Sequence, residues 1–375
     1  MNVGFVSTFY NEVYGGAEIS TRLLVKNLNE QNIKTKTFTP HSGFSKKDDL
    51  ILLSGLALIP KKIFILGSFL SDKLFAHMLY KKLLEEKINI LHVQDLFALP
   101  ATFLCAQRLR IPIIVTVRDN LPREFFVKNI NIFALRNKTY KAILQKCDGI
   151  IAISEHIRQK LISFGIWVDK IKVIYNLLPE VEGRSKLVPI NDNIRFLVAG
   201  RLEKEKGFDI ALKAFAIART QCENITLEIV GAGPESSSLR KFACILKVDN
   251  HVAFLGKVSH ESLLQRYAQA DVVLIPSVYE EPLGRIALEA GRVGKPVIAS
   301  RIGGLPEIID HGKAGYLVEA TNHDEMAKKI IILAKDKELR KKMGDHNRDF
   351  VTKKFNTQKI LAQTINYYQT LLNKY

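Results

Sequence analysis

Glu281 and Glu289 stand eight positions apart in SVYEEPLGRIALEAG, residues 277–291, on either side of a Pro282-Leu283-Gly284 turn and the opening of a helix. Carboxylates accept hydrogen bonds from hydroxyls, and a helix N-terminus offers free N–H donors and partial positive charge to an anion. Were the whole span helical, the two acids would lie about 12 Å apart at roughly 1.5 Å of rise per residue. That separation suits two ends of one long ligand rather than the two sides of a single scissile bond. Some eighty residues upstream, AGRLEKEKGFD carries Arg201 and Lys206 around a short loop before another helix. Two cations at a strand end can meet a diphosphate through charge-assisted hydrogen bonds. A solvated charged loop that includes Glu203 and Glu205 is the plain alternative.

Glycine-bearing loops recur after apolar runs. YGGAEIS places Gly15 and Gly16 before a helix, VGAGPE places Gly231 and Gly233, and IGGLPEII places Gly303 and Gly304. Each permits close backbone approach to an anionic group, although a plain turn explains any one alone. None is the G-x-G-x-x-G pattern, so a nicotinamide cofactor is disfavoured.

The elements that must position these groups alternate. Apolar runs at 3–8, 90–95, 112–117 and 149–154 read as strands, with an amphipathic helix from about Ala17 to Glu30. After LPEVEGRSKLVPINDN, 178–193, which reads as a linker, the rhythm restarts with strands at 195–200, 226–233, 252–256, 271–277 and 296–300. This predicts an α/β chain of two doubly wound, Rossmann-like parallel-sheet domains facing a cleft, with an amphipathic helix at 356–372 after the last strand. The expected boundaries are 1–185 and 186–355, with the terminal helix, 356–375, packing back on the first domain.

The 375 residues are 47% hydrophobic, as in a globular protein of two cores, and carry a formal charge of +17. Residues 1–190 hold 27 Lys and Arg against 16 Asp and Glu, and the remainder 28 against 22, so the excess is mostly N-terminal. No basic stripe interleaved with aromatics supports a nucleic-acid partner. Lys46-Lys47, Lys61-Lys62 and Lys81-Lys82 beside apolar runs fit an anionic membrane surface or a lipid-linked substrate; a lysine-rich solvated surface remains open. Cys105, Cys147, Cys222 and Cys244 have neither CxxC nor metal-ligand spacing and read as buried free thiols of a reducing compartment. With no visible signal peptide, and with the apolar stretch at 49–70 broken by Pro60, Lys61 and Lys62, the expected location is cytoplasmic, peripheral to the membrane at most.

Taken together, YGGAEIS, AISEHIRQKL (152–161), VIYN (173–176), AGRLEKEKG, VGAGPE, EEPLGRIALEA and GGLPEI resemble the pattern of glycosyltransferase family 4 (glycosyl transferases group 1) across nearly the whole chain. The resemblance implies the GT-B architecture and retaining transfer of a hexosyl group from a UDP- or GDP-sugar to a glycan or lipid-linked hydroxyl. It implies that Arg201 and Lys206 hold the diphosphate, that Glu281 faces the donor sugar and that Glu289 takes the ribose hydroxyls. Backbone N–H groups around Leu283, Gly284 and Arg285 would add donors, with Pro282 and Gly231 shaping the site, and Gly16 would belong to a loop closing over the phosphates. The chain has no Asp-x-Asp motif, so neither metal nor other cofactor is expected beyond the nucleotide-sugar co-substrate. It departs from the pattern at TVRDN, where Arg118 stands in place of the histidine that approaches the donor sugar in many relatives. A guanidinium is no base near neutral pH but can hydrogen-bond a sugar or an acceptor phosphate. His92 reads as a packed strand-end histidine. An epimerase of the same architecture and a non-catalytic sugar-nucleotide or polyanion-binding protein are the alternatives.

Overall fold

The computed structural model describes residues 1–10, 16–42, 50–53, 69–121, 126–127, 130–131, 134–178 and 193–375. They form two compact units, one of Met1–Leu177 with Thr357–Tyr375 and one of Leu178–Asn356. The linker expected at 178–193 lies, apart from its two end residues, outside the described residues, as do Gly15, Lys46-Lys47 and Lys61-Lys62.

The first unit has seven parallel strands: β1 (Asn2–Val6), β2 (Lys34–Thr39), β3 (Leu50–Leu52), β4 (Ile90–Val93), β5 (Ile113–Val117), β6 (Gly149–Ala152) and β7 (Ile171–Val173). Their order is β7-β6-β5-β4-β1-β2-β3. Helices α1 (Gly16–Glu30), α2 (Phe69–Glu85), α3 (Leu99–Leu109), α4 (Ala134–Leu144) and α5 (Glu155–Ser163) connect them. The central strands ILHV and IIVTV are buried at every position, the signature of parallel strands covered on both faces. The AISEHIRQKL stretch is a strand end followed by a helix cap, where Ser154 accepts from the Ile157 N–H at 3.1 Å.

In the second unit β8 (Ile194–Ala199), β9 (Ile225–Val230), β10 (Val252–Gly256), β11 (Val272–Ile275), β12 (Val297–Ser300) and β13 (Gly315–Val318) lie in the order β10-β9-β8-β11-β12-β13, all parallel. This is the 3-2-1-4-5-6 order of a doubly wound sheet, whose switch point falls between β8 and β11. Helices α6 (Phe208–Arg219), α7 (Ser236–Ile245), α8 (His260–Gln269), α9 (Arg285–Arg292), α10 (Leu305–Ile308), α11 (His323–Lys335) and α12 (Lys337–Lys354) complete it. Phe196, Phe208, Phe215, Ile298, Ile330 and Leu333 form its core. Of the strands in these two sheets, four escaped the sequence reading: β2, rich in Lys and Thr, and the short β3, β7 and β13. Cys244 is exposed on α7, contrary to expectation, whereas Cys105, Cys147 and Cys222 are buried; all four are free. Helix α7 has only Leu239 and Ala243 buried, which leaves Cys244 on its outer face.

The final helix, α13 (Thr357–Leu372), belongs to the first unit. Its Tyr368 is fully buried and its hydroxyl lies 2.6 Å from His92 Nδ1, while His92 Nε2 lies 2.6 Å from Thr116 Oγ1. With both ring nitrogens engaged and the ring at 0% exposure, burial, aided by the Arg118 charge, holds His92 well below its usual 6.5. The packed reading of His92 agrees with this geometry. Replacing Tyr368 by Phe leaves His92 Nδ1 without its partner and is expected to destabilise the first unit by about 1–3 kcal/mol; Tyr368→Ala costs about 3–5. Because folded His92 refuses a proton that the unfolded chain accepts below pH 6.5, stability falls as pH drops through that window, by at most about 1.4 kcal/mol per pH unit. Urea melts of the wild type and of His92→Gln at acidic and neutral pH check this: the substitution should flatten the dependence.

Candidate active site

The carboxyl ends of β8 and β11 flank the switch point of the second unit, and the loops that leave them carry Lys206 and Glu281. Lys206 Nζ is 2.7 Å from Glu281 Oε1, and the Ser277 hydroxyl donates to the same oxygen at 2.7 Å. The Lys206 ammonium also lies 5.7 Å from the centre of the Tyr279 ring. Both charged side chains are largely covered, at 18% and 15% exposure. The two loops are joined through the backbone, since Val278 and Tyr279 donate their N–H groups to the Glu205 carbonyl at 2.9 and 3.2 Å.

Two glycines set this closeness. Gly207, at φ +65°, caps the turn that holds Lys206, and a Cβ there would strike the Pro276 carbonyl. Gly303, at φ +60°, lies against the backbone of Glu280 and Glu281, where no side chain fits. The next residue, Gly304, donates its N–H to the Glu281 carbonyl at 2.7 Å. The GGLPEI loop is therefore a backbone support beneath Glu281.

Glu281 itself lies outside the helix. Helix α9 begins at Arg285, with Gly284 at φ +92° as its N-cap, so Glu289 sits one turn into the helix. The all-helical estimate of the spacing between the two acids accordingly does not apply. Leu283 is buried beneath the turn; in the first turn of α9 Ala287 and Leu288 donate to the Gly284 carbonyl at 3.0 and 3.4 Å, which leaves the N–H groups of Arg285 and Ile286 without intrahelical acceptors. Glu289 is buried, and its Oε1 accepts from Arg285 Nε at 2.7 Å and lies 2.9 Å from His260 Nε2 at the start of α8. The nearby Tyr267 hydroxyl is buried without a partner, and burial, with the Glu289 charge adding, pushes its pKa well above 10.

Arg201 stands apart from Lys206. Its side chain is 68% exposed and pairs with Glu203 at 2.8 Å and Glu205 at 3.4 Å, the nearest counter-charges on its own loop. Gly231 follows β9 and donates its N–H to the Gly256 carbonyl at 2.9 Å.

In the first unit the equivalent sheet edge holds Arg118. Its guanidinium donates to the Gln94 carbonyl at 2.9 Å and to the Gln94 side chain at 2.8 Å, and Gln94 Oε1 also accepts from Thr21 on α1 at 3.0 Å. Its Nε is buried without a partner. Burial lowers the Arg118 pKa to about 10, against the opposing pull of Asp95, Asp119 and Glu18, so it stays charged at neutral pH. Arg118, His92, Thr116, Asn176 and Thr364 line a cleft in this unit. Gly16 is exposed at the first position of α1.

Two family models match the chain: Glycosyltransferase Family 4 over residues 14–179 and Glycosyl transferases group 1 over residues 182–350. The chain belongs to the group 1 glycosyltransferases of GT-B fold. An uncharacterized glycosyltransferase of Methanocaldococcus jannaschii is 31% identical over 249 residues, which is 63% of each chain. N-acetyl-alpha-D-glucosaminyl L-malate synthase of Bacillus anthracis is 28% identical over 304 residues, 76% of each chain. Among solved structures, Anabaena HepE in complex with UDP-glucose superposes with a TM-score of 0.77 at 22% identity, covering 99% of this chain and 100% of that one.

Within this glycosyltransferase the structure joins Lys206 to Glu281 and Arg285 to Glu289, while Arg201 and Arg118 lie in separate surroundings. Sequence reasoning missed Ser277, Tyr279 and His260, all of which touch these side chains. Ser277 and Tyr279 stand in the same motif as Glu281 and could have been read there; nothing local marks His260. Among the described residues no group of three His, Cys, Asp or Glu is placed to hold a metal, and no helix is long and apolar enough to cross a membrane. Arg285→Ala should leave the buried Glu289 charge without its main donor, destabilising the second unit by about 1.5–3 kcal/mol. Gly303→Ala should damage the site more than the fold, because the strain falls on the backbone beneath Glu281. Thermal unfolding and donor-binding calorimetry on both variants measure these effects.

Proposed function

We propose that the chain is a retaining, metal-independent glycosyltransferase that moves a hexosyl group from a nucleotide-diphosphate sugar, with UDP or GDP as the nucleotide, to a hydroxyl of a glycan or lipid-linked acceptor. The observation that carries this reading is the Lys206–Glu281 pair at the switch point, since a doubly wound sheet presents its ligand crevice there. A nucleotide sugar has a charged middle and hydroxylated ends. Lys206 and Arg201 are the cations for its diphosphate, with the first-turn N–H groups of α9 beside them. Glu281 serves the hydroxyls of the sugar and Glu289 those of the ribose. HepE, solved with UDP-glucose, and the similar N-acetyl-alpha-D-glucosaminyl L-malate synthase support this class of donor and an α-linked product.

In the structure Lys206 is neutralised by Glu281, so an arriving diphosphate competes for an ammonium already in place. Arg201, whose side chain is exposed, turns from Glu203 and Glu205 to the same phosphates. As the bond from the anomeric carbon to the phosphate oxygen breaks, both cations stabilise the growing negative charge. The acceptor oxygen bonds to that carbon on the same face, and its proton passes to the departing phosphate. Arg118, charged and oriented by Gln94, offers a hydrogen-bond donor to sugar or acceptor from the first unit, with Gly16 at the phosphate-side loop.

Incubation with UDP- and GDP-sugars, with and without acceptors and in the presence of a chelator, tests the proposal. Transfer should persist in chelator, and the product should keep the donor's anomeric configuration. Donor conversion to another sugar without any acceptor would make the chain an epimerase instead. Lys206→Ala and Glu281→Ala should lower kcat roughly 100- to 1,000-fold with little change in thermal stability. Glu289→Ala should act mainly on donor KM; wild-type turnover in Lys206→Ala and Glu281→Ala would refute the assignment.

A further inference from the structure

Three neighbouring helices of the first unit, α2, α3 and α4, carry a surface with an unusual combination of charge and apolarity. Leu74 and Leu84 on α2 and Leu104 on α3 are 43%, 53% and 48% exposed, an uncommon state for large aliphatic side chains. On α2 the residues Lys73, Leu74, His77, Lys81 and Leu84 are all exposed, and at 3.6 residues per turn they fall within about 100° of the circumference. This is one continuous stripe rather than scattered positions.

Two contacts align α3 with it. Cys105 Sγ lies 3.2 Å from the Ala76 carbonyl, and the Arg108 guanidinium lies 4.3 Å from the centre of the Tyr80 ring. The pairs advance together, 76 with 105 and 80 with 108, so the helices run in the same direction. Leu104 adjoins the first contact on the exposed side of α3, and Leu74 lies on the exposed side of α2, round the helix from Ala76. Helix α4 is tied to the same group by Arg136, whose guanidinium pairs with Asp72 of α2 at 3.4 Å.

The charge on this face is predominantly positive. The three helices hold seven cations, Lys73, Lys81, Lys82, Arg108, Arg136, Lys138 and Lys141, and two acids, Asp72 and Glu85. Both acids are taken up inside the group, Asp72 by Arg136 and Glu85 by Lys82 at 2.6 Å. What faces outward is net positive, with the exposed Glu85 paired to Lys82 and leucines between. The contrast is α12 of the second unit, where Glu338, Asp345 and Asp349 interleave with the basic residues.

We propose that the α2–α3–α4 face docks the protein on an anionic lipid surface, cations toward the headgroups and Leu74, Leu84 and Leu104 toward the acyl boundary. A polyanion such as nucleic acid would use the cations but leave the leucines without a role, whereas a lipid surface uses both. This surface is distinct from the Lys206–Glu281 site, and its test needs no sugar donor, so it stands or falls apart from the proposed reaction.

The test is flotation of the full-length chain with vesicles of phosphatidylcholine alone or mixed with phosphatidylglycerol. At low salt the mixed vesicles should retain at least tenfold more protein than the neutral ones, and raising NaCl to about 0.5 M should release most of it. Lys81→Glu combined with Lys138→Glu should lower retention about tenfold, and Leu74→Ser with Leu104→Ser several-fold; all four side chains are exposed, so melting temperatures should hold. Lys341→Glu with Lys342→Glu, the same charge change on α12, should leave retention unchanged. Equal binding to neutral vesicles, no binding at low salt, or an equal loss in the α12 variant would overturn the proposal. So would leucine variants that bind as wild type while heparin strips the protein from vesicles, because the face would then be a polyanion surface.

Discussion

The approach of one loop backbone to another, with no side chain between them, is the constraint on which the rest of the second unit depends. Gly207 abuts the Pro276 carbonyl and Gly303 abuts the backbone of Glu281, so three loops from three strand ends meet at van der Waals distance. Only at that separation can Val278 and Tyr279 reach the Glu205 carbonyl and Gly304 the carbonyl of Glu281. The Lys206–Glu281 ion pair is a product of this backbone framework. It holds a cation and a carboxylate in a fixed relation at the sheet's switch point.

The same economy of polar contacts governs the first unit by a different route. There Gln94 is the organiser: its carbonyl and side chain position Arg118, and its side chain also receives Thr21 from α1. One residue at the end of β4 thus links a helix, a neighbouring strand end and a buried guanidinium. His92, two positions earlier, is locked by Thr116 and by Tyr368 of α13. Polar atoms that would be costly to bury singly are arranged in pairs, and the Arg118 Nε is left over at the edge of the cleft.

Much of this was legible in residue types. Central strands such as IIVTV read clearly because a parallel strand covered on both faces is apolar throughout. KTKTFT did not, because its alternating lysines and threonines include a single large apolar residue, Phe38, yet it pairs with β1 along five residues. The acids, cations and glycines of the site were visible as chemistry, and the glycosyltransferase family was visible in their order along the chain. What local pattern could not supply was partnership. Lys206 meets a carboxylate 75 positions away, and Glu289 meets His260 from 29 positions away. Strand order decides such pairings, and strand order is a property of the whole sheet.

The path of the chain gives α13 a consequence for how the molecule is made. Tyr368 lies 276 positions from the histidine it covers, and the entire second unit is read out between them. During synthesis at roughly 5–20 residues per second, the first unit waits on the order of ten seconds or more with His92 uncovered. The segment translated first is therefore the one whose fold is sealed last. A nascent chain released before α13 emerges carries a finished second unit beside a first unit that still exposes part of its interior.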